Sequence, residues 1–368
     1  MDKLIDFHSH RHIQYFLYCL KGLPKQYVGL ETNRMTLVHF CIQSLDILGF
    51  LDLEDDVHSH YGFNKEHICD WIYSLQTIQE GVESNIGGFK GSNFLGGVIR
   101  NGASTNMGYY DQSHIAMTYT ALCTLITLGD NLDRVDKNSI LEGLRLLQQS
   151  DGSFKCLHMG SENDLRFLYC ACAISYILGD WSAVDTDKAV EFIKSTRSFD
   201  GAMSLAPGLE GHGGSLFCGV ASLVLMNRED EVLNDSMNPI GCTWREEIIQ
   251  WCVNRQKEGM QGRPNKKEDT CYSFWVGGTL HLLKCQHLID EISLSTFVLD
   301  CQTDIGGFSK FRDGPFNPDL LHSFYSLCWL STSIDELKDI DFALGMVSNR
   351  INSQMSNQKM EIGVNRKY

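Results

Sequence analysis

Residues 137–179 read KNSILEGLRLLQQSDGSFKCLHMGSENDLRFLYCACAISYILG. Lys137–Gln149 places Ile140, Leu144 and Leu147 on one face, the pattern of a helix buried on one side. Gly152-Ser153-Phe154 follows as a turn, and a short polar loop comes next. Asp164–Gly179 is then apolar almost throughout, and a helix apolar all round is buried on every side. The unit is an outer helix, a glycine turn and an inner helix.

The unit recurs. Gly88-Phe89, Gly201-Ala202-Met203, Gly259-Met260 and Gly307-Phe308 repeat the turn, and successive signals lie 48 to 64 residues apart. A glutamine stands shortly before most of them: Gln76, Gln149, Gln256 and Gln302. His114–Gly129 and Ser215–Asn227 repeat the inner helix, and Trp244–Gln256 repeats the outer one with Trp244, Ile248 and Cys252 on its face. An open solenoid would leave its inner helices a solvated concave side. Wholly apolar inner helices therefore predict a closed double ring, an all-α α/α barrel (toroid) with a central cavity. The expectation is one domain over residues 1–352, built of five to six repeats, with a polar, disordered tail at 353–368.

The 368 residues, 43% hydrophobic, suffice for a full-sized core. Asp plus Glu number 46 against 31 Lys plus Arg, a net charge of −15, which excludes the broad basic face that nucleic acid needs. No apolar run is long and unbroken enough to span a bilayer. Met1–His12 has no apolar stretch of the export-signal kind, so the expected location is cytoplasmic. The 6 prolines favour helices. Most of the 14 cysteines fall in apolar helical stretches and none forms a CxxC pair, so they read as reduced, buried, small hydrophobes.

Arg166, His212, Cys271 and His322 lie 14, 11, 12 and 15 residues after Gly152, Gly201, Gly259 and Gly307, and His114 is the first repeat's counterpart. All stand where inner helices begin. In a closed ring those ends share one mouth, to which the helix N-termini add positive dipoles. Phe167, Tyr169, Phe217, Phe274, Trp275, Phe324 and Tyr325 follow them inward. A cationic rim over an aromatic well suits an amphiphile with an anionic head and an apolar tail.

Asp269, Cys271 and His322 form the metal candidate. Carboxylate, thiolate and imidazole all ligate zinc, and three protein ligands leave a fourth position open. Cys271 and His322 are 51 residues apart, one repeat, hence neighbours in space. Singly, each reads as a core thiol or a satisfied cap; their equivalent places at two helix starts favour the metal. Arg263, Lys266 and Lys267, with Tyr272 beyond and Lys310 and Arg312 one repeat later, form the anion candidate. Taken alone, that basic loop reads equally as a solvated one.

Other motifs carry less. His8-Ser9-His10-Arg11-His12 has the HxH of metal-dependent amidohydrolases but no preceding strand, and reads as a solvated terminus. The acidic run Asp52–Asp56 lacks DDxxD spacing and reads as a loop between helices. Ser113-His114 and Ser59-His60 are adjacent pairs, which is not triad geometry.

Arg263-Pro264-Asn265-Lys266 and Asp269-Thr270-Cys271-Tyr272-Ser273-Phe274-Trp275 closely resemble the zinc and diphosphate segment of protein prenyltransferase β subunits. Gly211-His212-Gly213-Gly214, Ser161-Glu162-Asn163-Asp164 with Arg166, and His114-Ile115-Ala116-Met117-Thr118-Tyr119 match further, and the resemblance runs from about Asp6 to about Ser331. Within the family the chain is most similar to the branch that transfers the twenty-carbon geranylgeranyl group. The resemblance implies an α/α barrel paired with a helical-repeat α subunit. It implies Asp269, Cys271 and His322 as holders of Zn2+. It implies His212, Arg263, Lys266 and Tyr272 at the diphosphate, with Gly213, Gly214, Pro264 and Asn265 among the substrate-binding residues. Trp275, Cys218 and Tyr169 would line the isoprenoid well, with Ser273, Phe274, Phe40 and Thr36 also among the substrate-binding residues, and His114 and Arg166 would lie near the peptide. The implied reaction joins the thiol of a C-terminal CaaX cysteine, X typically Leu, to the prenyl group of geranylgeranyl diphosphate, on proteins such as Rho/Rac-type small GTPases.

Two positions favour the longer donor. Thr36 falls where farnesyl-transferring relatives carry a tryptophan, read as the floor of the well. Lys310 falls where they carry a magnesium-binding aspartate, so an ammonium replaces the ion and Mg2+ is expected to be dispensable. Lys267-Glu268 replaces a more apolar pair, and Phe311–Pro318 is slightly longer than the family pattern. The alternatives are a farnesyltransferase β subunit, a non-catalytic barrel that binds a ligand, and a terpene cyclase, whose acidic proton-donor motif is absent from the sequence.

Overall fold

The computed structural model describes residues 6–79, 85–93, 112–234, 241–313 and 317–352; the tail at 353–368 lies outside them. Six inner helices run in chain order: Arg34–Ile47, Ile115–Thr127, Leu165–Leu178, Gly213–Met226, the stretch Ser273–Leu282, and Leu320–Leu330. Each packs on the next, and the last packs on the first, so the ring is closed. Six outer helices back them: Ser9–Lys21, Lys65–Tyr73, Lys137–Leu147, Thr186–Ser195, Trp244–Val253 and Glu291–Asp300. The expected boundaries of the second and third inner helices hold to within two residues, with Asp164 capping one end of Leu165–Leu178 and Gly179, at φ +66°, the other. One inner helix departs from regularity: Ser273–Gly277 winds in wide, π-type turns before Gly278–Leu282 resumes. Such insertions are frequent at functional sites.

Four of the glycine signals are short turns and Gly88 lies in the strand Ile86–Phe89; each buries an apolar side chain. Phe89, Phe154, Met203, Met260 and Phe308 are all fully buried. They pair antiparallel with Gln76, Gln148, Arg197, Gln256 and Gln302. In the second repeat the paired residue is Gln148, the neighbour of the Gln149 that stands out in the sequence.

These glutamines explain how one unit grips the next. Gln148 Oε1 accepts the Asp185 N–H at 2.8 Å while its Nε2 donates to the Asp185 carbonyl at 2.9 Å. Gln256 does the same at Asp290, and Gln76 holds Asp136 and the Arg134 carbonyl. Asp136, Asp185 and Asp290 are the N-caps of the following outer helices. Gln302 closes the circle: it accepts from His8 N–H and donates to the Asp6 carbonyl, both at 2.9 Å. Where Arg197 replaces glutamine, it pairs with Glu247, and Trp244 Nε1 donates to the Gly201 carbonyl.

His12 overturns the reading of 8–12 as a solvated terminus. It is fully buried, stacks on Phe308 at 4.6 Å, bonds Gln302 Oε1 at 2.8 Å and accepts the Gly307 N–H at 2.9 Å. Gly306 lies at φ +84°, and a Cβ there would stand 2.1 Å from the Arg11 carbonyl oxygen, so the seam requires a glycine.

The end of the ring away from the mouth is filled by a hairpin that sequence reading did not identify. Ile340–Asp341 pairs antiparallel with Met346–Val347. Tyr169 Oη donates to the Ala343 carbonyl at 2.8 Å and Tyr119 Oη to the Leu344 carbonyl at 2.7 Å. The fully buried carboxylate of Asp46 anchors the hairpin's flanks through Lys338 Nζ at 2.9 Å and Arg350 Nη2 at 2.8 Å. Asp52 joins this network, so the acidic run serves packing in part. Among the described residues no helix is long and apolar enough to cross a membrane, and all 14 cysteines are free thiols.

Gln302→Ala leaves His8 N–H and His12 without their acceptor. Two orphaned groups of this kind cost about 1–3 kcal/mol each, so unfolding in urea is expected to lose at least 2 kcal/mol. A loss under 0.5 kcal/mol would show that closure does not rest on this residue.

Candidate metal and anion site at the mouth of the ring

Every inner helix from the second onward begins with a side chain that caps it. His114 accepts from the Ala116 N–H, Asp164 from Arg166, His212 from Gly214, Asp269 from Cys271 and Asp319 from His322. Five residues after each cap stands an aromatic: Tyr119, Tyr169, Phe217, Phe274 and Phe324. A helix cap satisfies orphan N–H groups, so each cap is fixed at the mouth by backbone chemistry. The aromatics then meet around the inside of the ring. Tyr119 packs on Tyr169, Tyr169 on Phe217, Phe217 on Phe274 and Trp275, and Trp275 on Tyr325 at 4.3 Å. Phe40 and His39 complete the belt against Phe324 and Tyr119.

The ligand atoms of Asp269, Cys271 and His322 all lie within 4.8 Å of one another. His322 Nε2 is 3.2 Å from Asp269 Oδ1, and its Nδ1 is 2.6 Å from Asp319 Oδ2. Asp319 is the residue that sequence reading missed. It caps the last inner helix and orients the imidazole whose other nitrogen faces the triad. A carboxylate behind a ligating histidine is the usual partner in metal sites. Its sequence signal was the cap spacing, since Asp319 stands to its helix as Asp269 and Asp164 stand to theirs.

Burial pushes the Cys271 thiol well above its usual range, and Asp269 adds to the shift. Burial pulls His322 down, but the bonds to Asp269 and Asp319 outweigh it and raise the ring to about 9. Burial likewise opposes ionisation of Asp269, and His322 with the Cys271 N–H overcomes it, holding the carboxyl below its usual value. One sulfur, one imidazole nitrogen and one carboxylate, mostly buried and preset by backbone caps, fit a divalent metal ion with one position left open.

Lys310 Nζ lies 3.4 Å from Asp269 Oδ2, beside the triad. The Lys310 carbonyl accepts the Thr270 N–H at 3.1 Å, which fixes the fifth glycine turn against the start of the fifth inner helix. On the other side of Asp269 stands the anion candidate. The Gly214 N–H donates to His212 Nδ1 at 3.0 Å, and His212 Nε2 lies 2.9 Å from Tyr272 Oη. Burial and then the charge of Arg263 lower the His212 pKa. The neutral ring with Nδ1 accepting must donate through Nε2, which leaves the Tyr272 hydroxyl proton free to donate outward. Gly262 permits this, since a Cβ there would stand 2.1 Å from Tyr272 Cζ. Gly213 N–H donates to the Gly262 carbonyl at 2.8 Å, joining the two helix starts.

The basic loop is more engaged than its sequence suggests. Arg263 Nη1 pairs with Glu210 at 2.6 Å, and Lys267 with Asp313 at 3.7 Å. Arg312 is withdrawn: it pairs with Glu258 and Asp300 and stacks over Phe297. Pro264 and Asn265, the latter at φ +62°, shape the turn that carries Lys266. Arg166 is held by Asp164 at 2.6 Å and by Glu162 at 3.1 Å. It lies over Phe167, which stacks edge-on with His114, so Phe167 is a rim residue outside the aromatic belt. Cys218, buried on the fourth inner helix, has its thiol pushed up to about 12 by burial.

Thr36 is not at a floor. It sits in the first turn of Arg34–Ile47, with Oγ1 3.4 Å from Met117 Sδ in the first turn of the next helix. Arg34–Ile47 is third in either direction from Gly213–Met226 around the ring, so the Thr36 end of it stands across the mouth from His212. The floor is the hairpin at 340–347.

Geometry and fold define a class, the α/α-toroid prenyltransferases. Residues 7–349 match the family model of the prenyltransferase alpha-alpha toroid domain, and the chain belongs to that family. It is 39% identical over 331 residues to the geranylgeranyl transferase type-1 subunit beta of Arabidopsis thaliana, covering 87% of this chain and 83% of that one. It is 36% identical over 329 residues to the subunit of the same name from Dictyostelium discoideum, covering 86% and 88%. A Pisum sativum protein farnesyltransferase subunit beta is 33% identical over 234 residues, 61% of this chain and 52% of that one. The solved Candida albicans protein geranylgeranyltransferase-I complexed with GGPP matches with a TM-score of 0.79 at 22% identity, over 95% and 98% of the two chains, a likeness of fold.

Asp319→Asn keeps a good helix cap but removes the charge behind His322. Metal affinity, measured by competition with a chelator, is expected to fall 10- to 100-fold with the thermal midpoint nearly unchanged. Unaltered affinity would remove Asp319 from the site.

Proposed function

We propose that this chain is the catalytic β subunit of a zinc-dependent, type I protein geranylgeranyltransferase, with residues 1–352 as one functional unit. The reaction is transfer of the geranylgeranyl group from geranylgeranyl diphosphate to the cysteine thiol of C-terminal CaaX proteins, X typically Leu, Rho/Rac-type GTPases among them. The observation that carries this reading is the Asp269–Cys271–His322 triad and the His212–Tyr272–Arg263–Lys266 group at one mouth, with Lys310 beside the triad. The type-1 beta relatives at 36% and 39% identity support the donor assignment. The enzyme works in the cytoplasm as a heterodimer with a helical-repeat α subunit.

Asp269, Cys271 and His322 hold the Zn2+, which when bound supplies the substrate cysteine as thiolate at neutral pH. His212, Arg263, Lys266 and Tyr272 hold the diphosphate, with the positive end of the helix that starts at Gly213-Gly214 adding its dipole. The substrate sulfur forms a bond to C1 of the prenyl group as the C1–O bond breaks, and diphosphate leaves. Arg263, Lys266 and Lys310 meet the charge that develops on the leaving oxygens, where preorganised charge acts most strongly. Lys310 takes the part that Mg2+ would otherwise play. Because the hairpin blocks the far end, the tail runs across the mouth over Tyr169, Phe274, Trp275 and Phe40 toward Thr36. Arg166 and His114 flank the peptide's end.

The second reading, a farnesyltransferase β subunit, has the more distant Pisum sativum relative behind it. The small Thr36 opposite His212 argues against it.

With an α subunit and Zn2+, and with no Mg2+ added, the wild type is expected to geranylgeranylate a CaaX peptide ending in Leu. Cys271→Ala is expected to lose metal and transfer while still binding geranylgeranyl diphosphate. Stoichiometric zinc and normal turnover in that variant would refute the reading.

Thr36→Trp is expected to move the kcat/KM ratio toward farnesyl diphosphate by about tenfold or more, since overpacking an apolar site costs about 1–3 kcal/mol. An unchanged ratio would mean that the tail does not reach Thr36.

A further inference from the structure

Glu210 lies two residues before the cap His212, on the loop that enters the fourth inner helix. Its Oε2 is 2.6 Å from Arg263 Nη1, and both side chains are partly open to solvent. Three of the mouth's other cations also carry carboxylates: Arg166 has Asp164 and Glu162, Lys267 has Asp313, and Lys310 has Asp269. Asp164 and Asp269 have separate work as helix caps. Glu210 has no other bond among the described residues than the one to Arg263. A lone carboxylate inside an anion cradle is costly once an anion arrives, because like charges at this range repel. Its place needs a reason.

We propose that Glu210 is the exchangeable counter-ion of Arg263, a positioning residue that occupies the guanidinium when the cradle is empty and competes with the diphosphate for it. This rests on the reading that the cradle takes a diphosphate. A guanidinium pairs with carboxylate and phosphate by the same fork of N–H donors, so one partner can replace the other without leaving Arg263 bare. The exchange weakens diphosphate binding slightly and keeps Arg263 oriented toward the cradle. It also gives Arg263 a partner as the diphosphate product departs, which favours release. The group that gains is the product more than the donor, since the donor has its apolar tail as a further hold.

The test uses the zinc-loaded heterodimer and two probes, inorganic diphosphate as inhibitor and geranylgeranyl diphosphate as ligand. Glu210→Gln keeps the side chain's size and removes its charge. The inhibition constant of inorganic diphosphate is expected to fall two- to fivefold, the scale of a partly exposed ion pair. The KM for the CaaX peptide is expected to stay as in the wild type, and Glu210→Asp is expected to restore the wild-type inhibition constant. A merely structural role would not tighten binding of the product. An unchanged or raised inhibition constant in Glu210→Gln overturns the proposal. Arg263→Ala separates the two levels. If it weakens inhibition tenfold while Glu210→Gln changes nothing, the competition fails and the diphosphate cradle stands. If the wild type is not inhibited by diphosphate at all, the cradle and the competition both fall.

Discussion

A ring of helices exists only if its last repeat finds its first, and here the last inner helix packs on the first while Gln302 and His12 lock the outer seam. Gln302 joins the fifth glycine turn to Asp6, His8 and His12, nearly three hundred residues away in sequence. The same grip, glutamine onto the start of the next outer helix, spaces the earlier units. Loop closure over so long a chain is entropically costly, and a buried histidine stacked on Phe308 offsets part of it. With the ring shut, all inner helices present their starts to one mouth. The caps that satisfy those starts then become the functional side chains. His212 caps one helix and directs Tyr272, while Asp269 caps another and completes the triad.

Much of this was legible in the sequence. The apolar inner helices, the one-sided outer helices and the recurring glycine signal carry the barrel, because period and polarity report burial directly. The triad was legible because Cys271 and His322 hold equivalent places one repeat apart. The misses share one cause: they depend on where distant segments meet. Asp319 looks like any acidic loop residue until its carboxylate is seen at His322 Nδ1. The hairpin at 340–347 has no strand-like pattern, and only the carbonyls of Ala343 and Leu344 reveal it as the plug. Position in a motif carries no depth, so the place of Thr36 in the first turn of its helix is visible only in the structure. His12 sat in a histidine-rich terminus that polarity alone calls solvated.

Electrostatics completes the picture. In a chain of net charge −15 the cations at the mouth form a local exception, and most are balanced by carboxylates at contact distance. Balanced cations cost little to hold in place without a ligand and remain oriented to receive one. Arg312, one residue from a balanced pair, shows the difference, since its partners Glu258 and Asp300 hold it away from the cradle.

The central claim is that the triad binds an ion whose open position takes a thiol. X-ray absorption at the zinc edge of the zinc-loaded heterodimer, with and without a CaaX peptide, reads this directly. The account predicts one sulfur neighbour from Cys271 in the resting protein and two when the peptide is bound. A single sulfur in both states, or no zinc retained by the wild type, would contradict it.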